Sequence, residues 1–226
     1  MDTPIAIIGA GLAGLTTAIR LQQLGFNPVL INSCILDAQG KVGGFASFSG
    51  AKFSLPPAGL GLISITKTED ALWNAIENVL EVFGLDLNGH AISHDKYAVL
   101  STLRNYKSLV LMPNEINDLI QKLKNKLDDS GINIIHGYCH KIEFDSGAIV
   151  IHIKDEKYPI YMHCKTAFFA GGRLGANILL DAGIEPTDNK GIDVGVRIEF
   201  KDHKGLSSLR KHGPDAKIMA LPDFVG

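Results

Sequence analysis

The decapeptide Ile5-Ala6-Ile7-Ile8-Gly9-Ala10-Gly11-Leu12-Ala13-Gly14 decides the fold. Ile5 to Ile8 is a short apolar, β-branched run that stops at a glycine, the signature of a buried strand. Residues 12 to 24 then place Leu12, Leu15, Ala18 and Ile19 at helical spacing, and Gly25 is a natural stop. Pro28 leads into a second apolar run, Val29 to Ile31. Strand, helix and strand in this order form a βαβ unit, whose parallel strands need a right-handed helical crossover.

Gly9-Ala10-Gly11-Leu12-Ala13-Gly14 is also G-x-G-x-x-G. Alone it is a weak signal; between a strand and a helix it reads as a dinucleotide fingerprint. Gly9 permits the tight turn, Gly11 lets the backbone approach a pyrophosphate, and Gly14 lets the helix pack on the strand. Leu12 and Ala13 open a helix whose N-terminus carries roughly half a positive charge, where an anion is favoured. A glycine-rich turn without ligand is the plain alternative, and the three elements in register argue against it.

Asn32 stands at the end of the second strand, in the slot where a carboxylate normally takes the ribose hydroxyls. An amide can still accept there, with roughly 0.5–1.5 kcal/mol for a neutral bond against roughly 1.5–3 for a charged one. Without a carboxylate a 2′-phosphate is not repelled, so NADP is conceivable, although Lys41 is the nearest following cation in sequence. Capping of the following turn is the other reading of Asn32.

The chain has 226 residues, enough for one large domain or for one and part of another. Apolar residues are 46% and the net charge is −2, with no long run of either sign, so neither a nucleic-acid surface nor an acidic tail is suggested. Three separated cysteines, Cys34, Cys139 and Cys164, form no CxxC pair and fit a reducing compartment. The N-terminal run is broken by glycines and lacks a basic region, unlike a signal peptide. No stretch of about 18 apolar residues occurs. The expected location is the cytoplasm.

Residues 33–68 show little periodicity and form a long irregular segment. A helix is expected over 69–83, with Leu72, Ile76, Val79, Leu80 and Phe83 on one side and two acids in its first turn. Residues 97–111 are ambiguous, with short strands one reading. Asn114 can cap a helix from Glu115 to about Asp129, with Ile116, Leu119, Ile120, Leu123 and Leu127 as its stripe. Strands are expected at 132–135, then at 139–144, 148–153 and 158–163 as an antiparallel meander, then at 166–170. A short helix at 174–182 and a strand at 192–200 follow, and 201–226 reads as polar and irregular.

The order of these features resembles the FAD-dependent oxidoreductases of the glutathione-reductase-like class, most closely its bacterial FAD-dependent dehydrogenases. Their loop of the form GGxxxFSDGK is matched by Gly43-Gly44-Phe45-Ala46-Ser47-Phe48-Ser49-Gly50-Ala51-Lys52, with Pro56-Pro57 after it. Their MPN is matched by Met112-Pro113-Asn114, their ATGR-like turn by Ala170-Gly171-Gly172-Arg173, and their DVGVRIE strand by Asp193 to Glu199. The likeness extends over nearly the whole chain. It implies an α/β fold: a Rossmann-like FAD-binding domain with a parallel sheet and a β-meander over residues 1–192, an irregular and helical insertion at about 45–110, and the start of a truncated substrate domain at 193–226. It implies FAD as cofactor, with Gly9, Gly11 and Gly14 at the pyrophosphate, Gly43 and Gly44 along the pyrophosphate and ribityl chain, Cys139 at the adenine, and Gly171 and Gly172 close to the cofactor. Arg173 faces either phosphate or solvent. Lys52 matches a family lysine of unassigned role.

Three departures stand out: Asn32 for the acid, Ser49-Gly50-Ala51 for Ser-Asp-Gly, and no returning C-terminal segment of the usual kind after residue 200. The last suggests the first part of a longer protein, or one completed by a partner chain or oligomer. The expected activity is flavin-mediated transfer to an unidentified small-molecule or protein partner, with no catalytic acid or base assignable. A non-catalytic relative with weakened cofactor binding is the alternative. An NAD(P)-dependent dehydrogenase needs more parallel strands than the sequence offers. The pairs His90/His94 and His136/His140 are not expected to bind metal, since neither lies on a helix. Cys34 lacks a visible redox partner, Trp73 is read as packing, and no G-x-S-x-G motif supports a hydrolase.

Overall fold

The computed structural model describes residues 2–33, 42–48, 52–56, 62–86, 91–92, 101–103, 108–111, 113–155, 158–185 and 218–220. The chain divides into two compact units, Met1–Ser49 with Asn117–Lys190, and Gly50–Ile116 with Gly191–Gly226.

The first unit is built on β1 (Asp2–Ile8), α1 (Leu12–Gln23) and β2 (Val29–Asn32), the expected βαβ unit. Asn32 is the last residue of β2, at the strand end. The other strands of this unit are β7 (Asn133–His136), β8 (Tyr138–Asp145), β9 (Ala148–Lys154) and β10 (Pro159–Phe169). All belong to one six-stranded sheet, in the order β7-β2-β1-β10-β9-β8. The first four run parallel to one another, and β9 and β8 join antiparallel.

The separate strands expected at 158–163 and 166–170 are one strand, β10. Its first half pairs antiparallel with β9, from Pro159↔Lys154 to Cys164↔Ile149. Its second half pairs parallel with β1, out to Ile8↔Phe169. The reason is the pairing: β9 and β1 hold the two halves of one uninterrupted strand, and no glycine or proline at His163-Cys164-Lys165 breaks it.

Alternation sorts the parallel strands' side chains between two layers. Ala6, Ile8, Val29 and Ile31 share a buried cluster with Cys139, Ile142, Ile151, Ile153 and Met162, so the meander's apolar side covers that face. Ile7 and Leu30 are fully buried outside that cluster, and α1, which packs on β1 and β2, buries Leu15, Ala18 and Ile19.

The helix expected from Glu115 begins earlier, as α4 (Pro113–Ser130). Proline is well suited to a first helical turn, where its missing N–H loses no bond. Ile116, Leu119, Leu123 and Leu127 are buried as its stripe predicts, while Ile120 is half-buried. The helix expected at 174–182 is split into a 3-10 turn, Gly172–Gly175, and a short α5 (Ala176–Asp181).

In the second unit, β3 (Lys52–Ser54), β6 (Ser108–Val110) and β4 (Ala91–Ile92) form an antiparallel sheet, and β5 (Ser101–Leu103) pairs with β11 (Ile218–Ala220). The strand β11 lies where the sequence reads as irregular. Its helices are α2 (Ile63–Thr66) and α3 (Glu69–Phe83). In α3 the expected Val79 is 38% exposed and Val82 is buried instead. Thr68 caps α3, its Oγ1 accepting from the Ala71 N–H at 3.1 Å. The Phe53 and Phe83 rings lie 5.4 Å apart. The strand expected at 192–200 lies outside the described residues, as do Cys34, Lys41, His90 and His94.

Candidate functional site

A cavity of about 380 Å³ opens within the first unit at the carboxyl ends of β1, β2 and β10. That is where open parallel sheets place their ligands, and the size falls in the usual range of roughly 300–1,000 Å³.

Its first wall is the turn from β1 into α1. Gly9 adopts φ +107°, a conformation side chains avoid. A Cβ on Gly9 would run into the Ala170 carbonyl, and one on Gly14 into the Gly9 carbonyl. Gly11 caps α1 with no side-chain hydrogen bond, and the first turn holds no acid. The leading N–H groups of α1 are therefore not taken by a capping side chain, and Gly11, Leu12 and Ala13 all line the cavity. Gly14 does not; it works from behind, by close packing.

The second wall comes from the loop after β2. Gly43 pairs with Gly11 as an isolated parallel bridge, and its N–H donates to the Ala10 carbonyl at 2.7 Å. Gly44 packs against the Gly11 Cα. Both line the cavity. The glycine pair read from sequence thus lies directly on the fingerprint turn.

The third wall is the end of β10 with the turn that follows. Gly171 and Gly172 line the cavity, together with Gly175 and Phe169, which the sequence reading missed. A Cβ on Gly171 or Gly175 would meet the Phe169 Cζ at 2.7 and 2.5 Å. Gly171 and Gly175 are therefore a seat for that ring, while a Cβ on Gly172 would meet nothing. Arg173 lies in the 3-10 turn, and its side chain lies outside the described ones.

Asn32 and Cys139 form the remaining side, with Ser33, Gly137 and Tyr138. Asn32 is 6% exposed, and its carbonyl accepts from the Gly137 N–H at 2.9 Å. Gly137 leaves no room for a side chain, since a Cβ would meet Ile153 Cγ2 at 2.5 Å. Burial pushes the Cys139 thiol up to about 11, only partly offset by hydrogen bonding with the Lys141 backbone. This cysteine is an apolar wall rather than a nucleophile. None of the described residues lining the cavity carries a charge.

Outside the cavity, His152 Nε2 contacts Glu143 Oε2 at 2.6 Å, and Lys141 Nζ reaches Glu143 Oε1 at 2.5 Å. These contacts, Lys141 first, lower the Glu143 carboxyl. His136 and His140 lie on consecutive strands, β7 and β8, and burial, followed by Lys154 and His152, lowers His140. Among the described residues no three His, Cys, Asp or Glu side chains converge as a metal site would need. No described helix is long and apolar enough to cross a membrane.

Residues 7–58 match the family model of the NAD(P)-binding Rossmann-like domain. The chain is also similar to solved structures. With BexE, studied for oxidation during BE-7585A biosynthesis, it shares 16% identity over 87% of this chain and 39% of that one, at TM-score 0.52. A flavoprotein/dehydrogenase from Cytophaga hutchinsonii gives 15%, 81%, 42% and 0.47 in the same order. The anhydrotetracycline hydroxylase OxyS from Streptomyces rimosus gives 13%, 76%, 32% and 0.47. This chain spans less than half the length of each. No curated protein matches it. At such identities the likeness is one of fold, and the fold is the Rossmann-like α/β arrangement that the sequence led us to expect.

Proposed function

We propose that the chain binds FAD in this cavity as the nucleotide-binding part of a flavin-dependent oxidoreductase. The observation that carries the reading is the convergence of the bare N-terminus of α1, Gly43-Gly44 and the 170–175 turn on one cavity, backed by a meander between the third and fourth parallel strands. The residues fit the group: at Gly9 and Gly14 the backbone is drawn in where any side chain would collide, and the first-turn N–H groups of α1 have no capping side chain.

In this reading Gly11, Leu12 and Ala13 present backbone N–H groups to the pyrophosphate, and the helix dipole favours its charge. Gly43 and Gly44 give the backbone clearance along the phosphates and ribityl chain. Asn32 holds the adenosine ribose, and the wall at Gly137-Tyr138-Cys139 excludes water from the adenine. Gly171 and Gly172 bring the last turn against the cofactor, with Arg173 in that same turn. Bound flavin supplies the hydride or electron chemistry, while the protein supplies position and electrostatics. The electron partner, a small molecule or a protein, belongs to the proposal as well.

The match of residues 7–58 to an NAD(P)-binding model favours a second reading, a nicotinamide dinucleotide in the same cavity. The test is the visible absorption spectrum of the purified chain, before and after incubation with FAD and desalting. A retained flavin band that bleaches on reduction is expected. A well-folded protein that stays colourless, and binds NAD or NADP by calorimetry, would sink the flavin reading in favour of the second.

A further inference from the structure

The six-stranded sheet ends on one side at β8. Among the described residues β8 pairs with β9 alone, and α5 reaches it through Ile178, which shares the buried cluster with Cys139 and Ile142. An unpaired strand edge invites another strand, and proteins usually blunt it with proline, charge, a bulge or a short strand. β8 has eight residues and no proline or glycine. A register shift between Cys139 and Lys141 disturbs its first half, but Lys141 to Asp145 run regularly against His152 to Ala148. The charge of Lys141 is answered within the strand, by Glu143. Beside that pair Phe144 is 61% exposed.

The hairpin fixes which backbone groups face outward. Ser146 and Gly147, both with positive φ, join Asp145 to Ala148 as a two-residue turn. The residues flanking such a turn exchange hydrogen bonds, and bonded and non-bonded pairs then alternate along the strands. Asp145, Glu143 and Lys141 therefore bond to β9, whereas Ile142 and Phe144 direct their N–H and C=O groups away from it. A further antiparallel strand must meet those two residues.

Two copies of this regular stretch, related by a two-fold axis, can do so in three registers. With the axis at Phe144, Glu143 lies opposite Asp145 of the second copy. With the axis at Glu143, two glutamates face each other. Like charges directly opposite are unfavourable. With the axis at Ile142, that residue pairs with its own copy, and each Lys141 lies opposite Glu143 of the other copy. Both of these cross-copy pairs are of unlike charge, in the closely spaced, non-bonded positions.

We propose that the outer edge of β8 is a docking surface for a second copy of this chain, the two strands pairing antiparallel about a two-fold axis at Ile142. The pairing uses the same patch on both copies, so it closes at a dimer.

Sedimentation velocity of the full chain over a range of concentrations tests it. The wild-type chain is expected to dimerise reversibly, with a dissociation constant that rises with salt. Lys141→Glu or Glu143→Lys alone sets like charges opposite at both cross-copy positions and should weaken the dimer by at least about tenfold. The two changes together restore unlike pairs and should return the dissociation constant to within about threefold of wild type. The two side chains are 51% and 44% exposed, so the exchanges do not burden the fold, and the salt series needs no variant. A chain that stays monomeric at every concentration overturns the inference. So does a dimer indifferent to salt or to either single change, and so does a double variant that fails to recover dimerisation.

Discussion

Helices α1 and α3 begin in opposite ways. The N-terminus of α3 is closed by its own chain: Thr68 accepts from the Ala71 N–H, and Glu69 and Asp70 place two acids against the dipole. The N-terminus of α1 has a glycine cap, no side-chain bond and no acid, and it lines a cavity. A helix end carries several N–H groups without intrahelical partners, and they need acceptors from somewhere. In α3 the sequence provides them. In α1 the sequence withholds them, and glycines clear the approach, which is the arrangement an anionic ligand requires.

The largest expected effect comes from blocking that approach structurally. Gly14→Ala forces a methyl into the Gly9 carbonyl, backbone against backbone, with no flexible side chain to yield. We expect a loss of about 3 kcal/mol, read as a lower urea midpoint at unchanged slope. A near-neutral result would mean that α1 can shift, and that its close seating on β1 does not define the cavity.

Converting the start of α1 into one like α3 is the sharper test. Ala13→Asp adds an acid to the first turn, where it should favour the helix by about 0.3–1 kcal/mol in the absence of ligand. The same carboxylate would face a bound pyrophosphate and should weaken dinucleotide binding by at least about tenfold. Stability rising while affinity falls is the expected pattern. Parallel changes in both would break the contrast between the two helices.

Thr68→Ala makes the reverse change in α3. It should lower stability by about 1 kcal/mol, the usual worth of a cap, and leave nucleotide affinity unchanged. An effect on affinity would mean that the two helix ends are not independent.

The smallest effect belongs to Glu143, in an exposed cluster with Lys141 and His152. Its carboxyl is held below the ordinary 4.5 by Lys141 and His152, so the folded state favours the charged form. The pair's contribution is present above that ordinary value and fades as pH falls through the lowered one. Glu143→Gln should therefore show a small deficit in thermal midpoint near neutral pH that closes in acid. A deficit that does not close as the carboxyl is protonated in acid would point to packing instead.

Much of the fold was legible because its signals are local. The βαβ unit follows from apolar runs punctuated by glycine, and the stripe of α4 follows from helical period. Some readings failed where the deciding contacts are distant. Nothing within 158–170 says whether one strand or two will form; β9 and β1, pairing with opposite halves of β10, decide it. Val79 and Val82 are equally apolar, and only the packing of α3 selects Val82 for burial. At the site, G-x-G-x-x-G and Gly43-Gly44 could be read directly because glycine is the residue a close backbone approach demands. Phe169 could not, because its place depends on two glycines that follow it in a turn.

By itself, then, the sequence determined which backbone segments could come close to a ligand and which helix would start uncapped. Those are properties of residue type and spacing within a few turns of chain. Tertiary structure decided that the three glycine segments and Asn32 share one cavity, and that Asn32 is buried at the end of β2. The physical reason is range. Propensity and capping act within a handful of residues, whereas the cavity is made by strands paired across more than a hundred positions of sequence, as in Ile8↔Phe169.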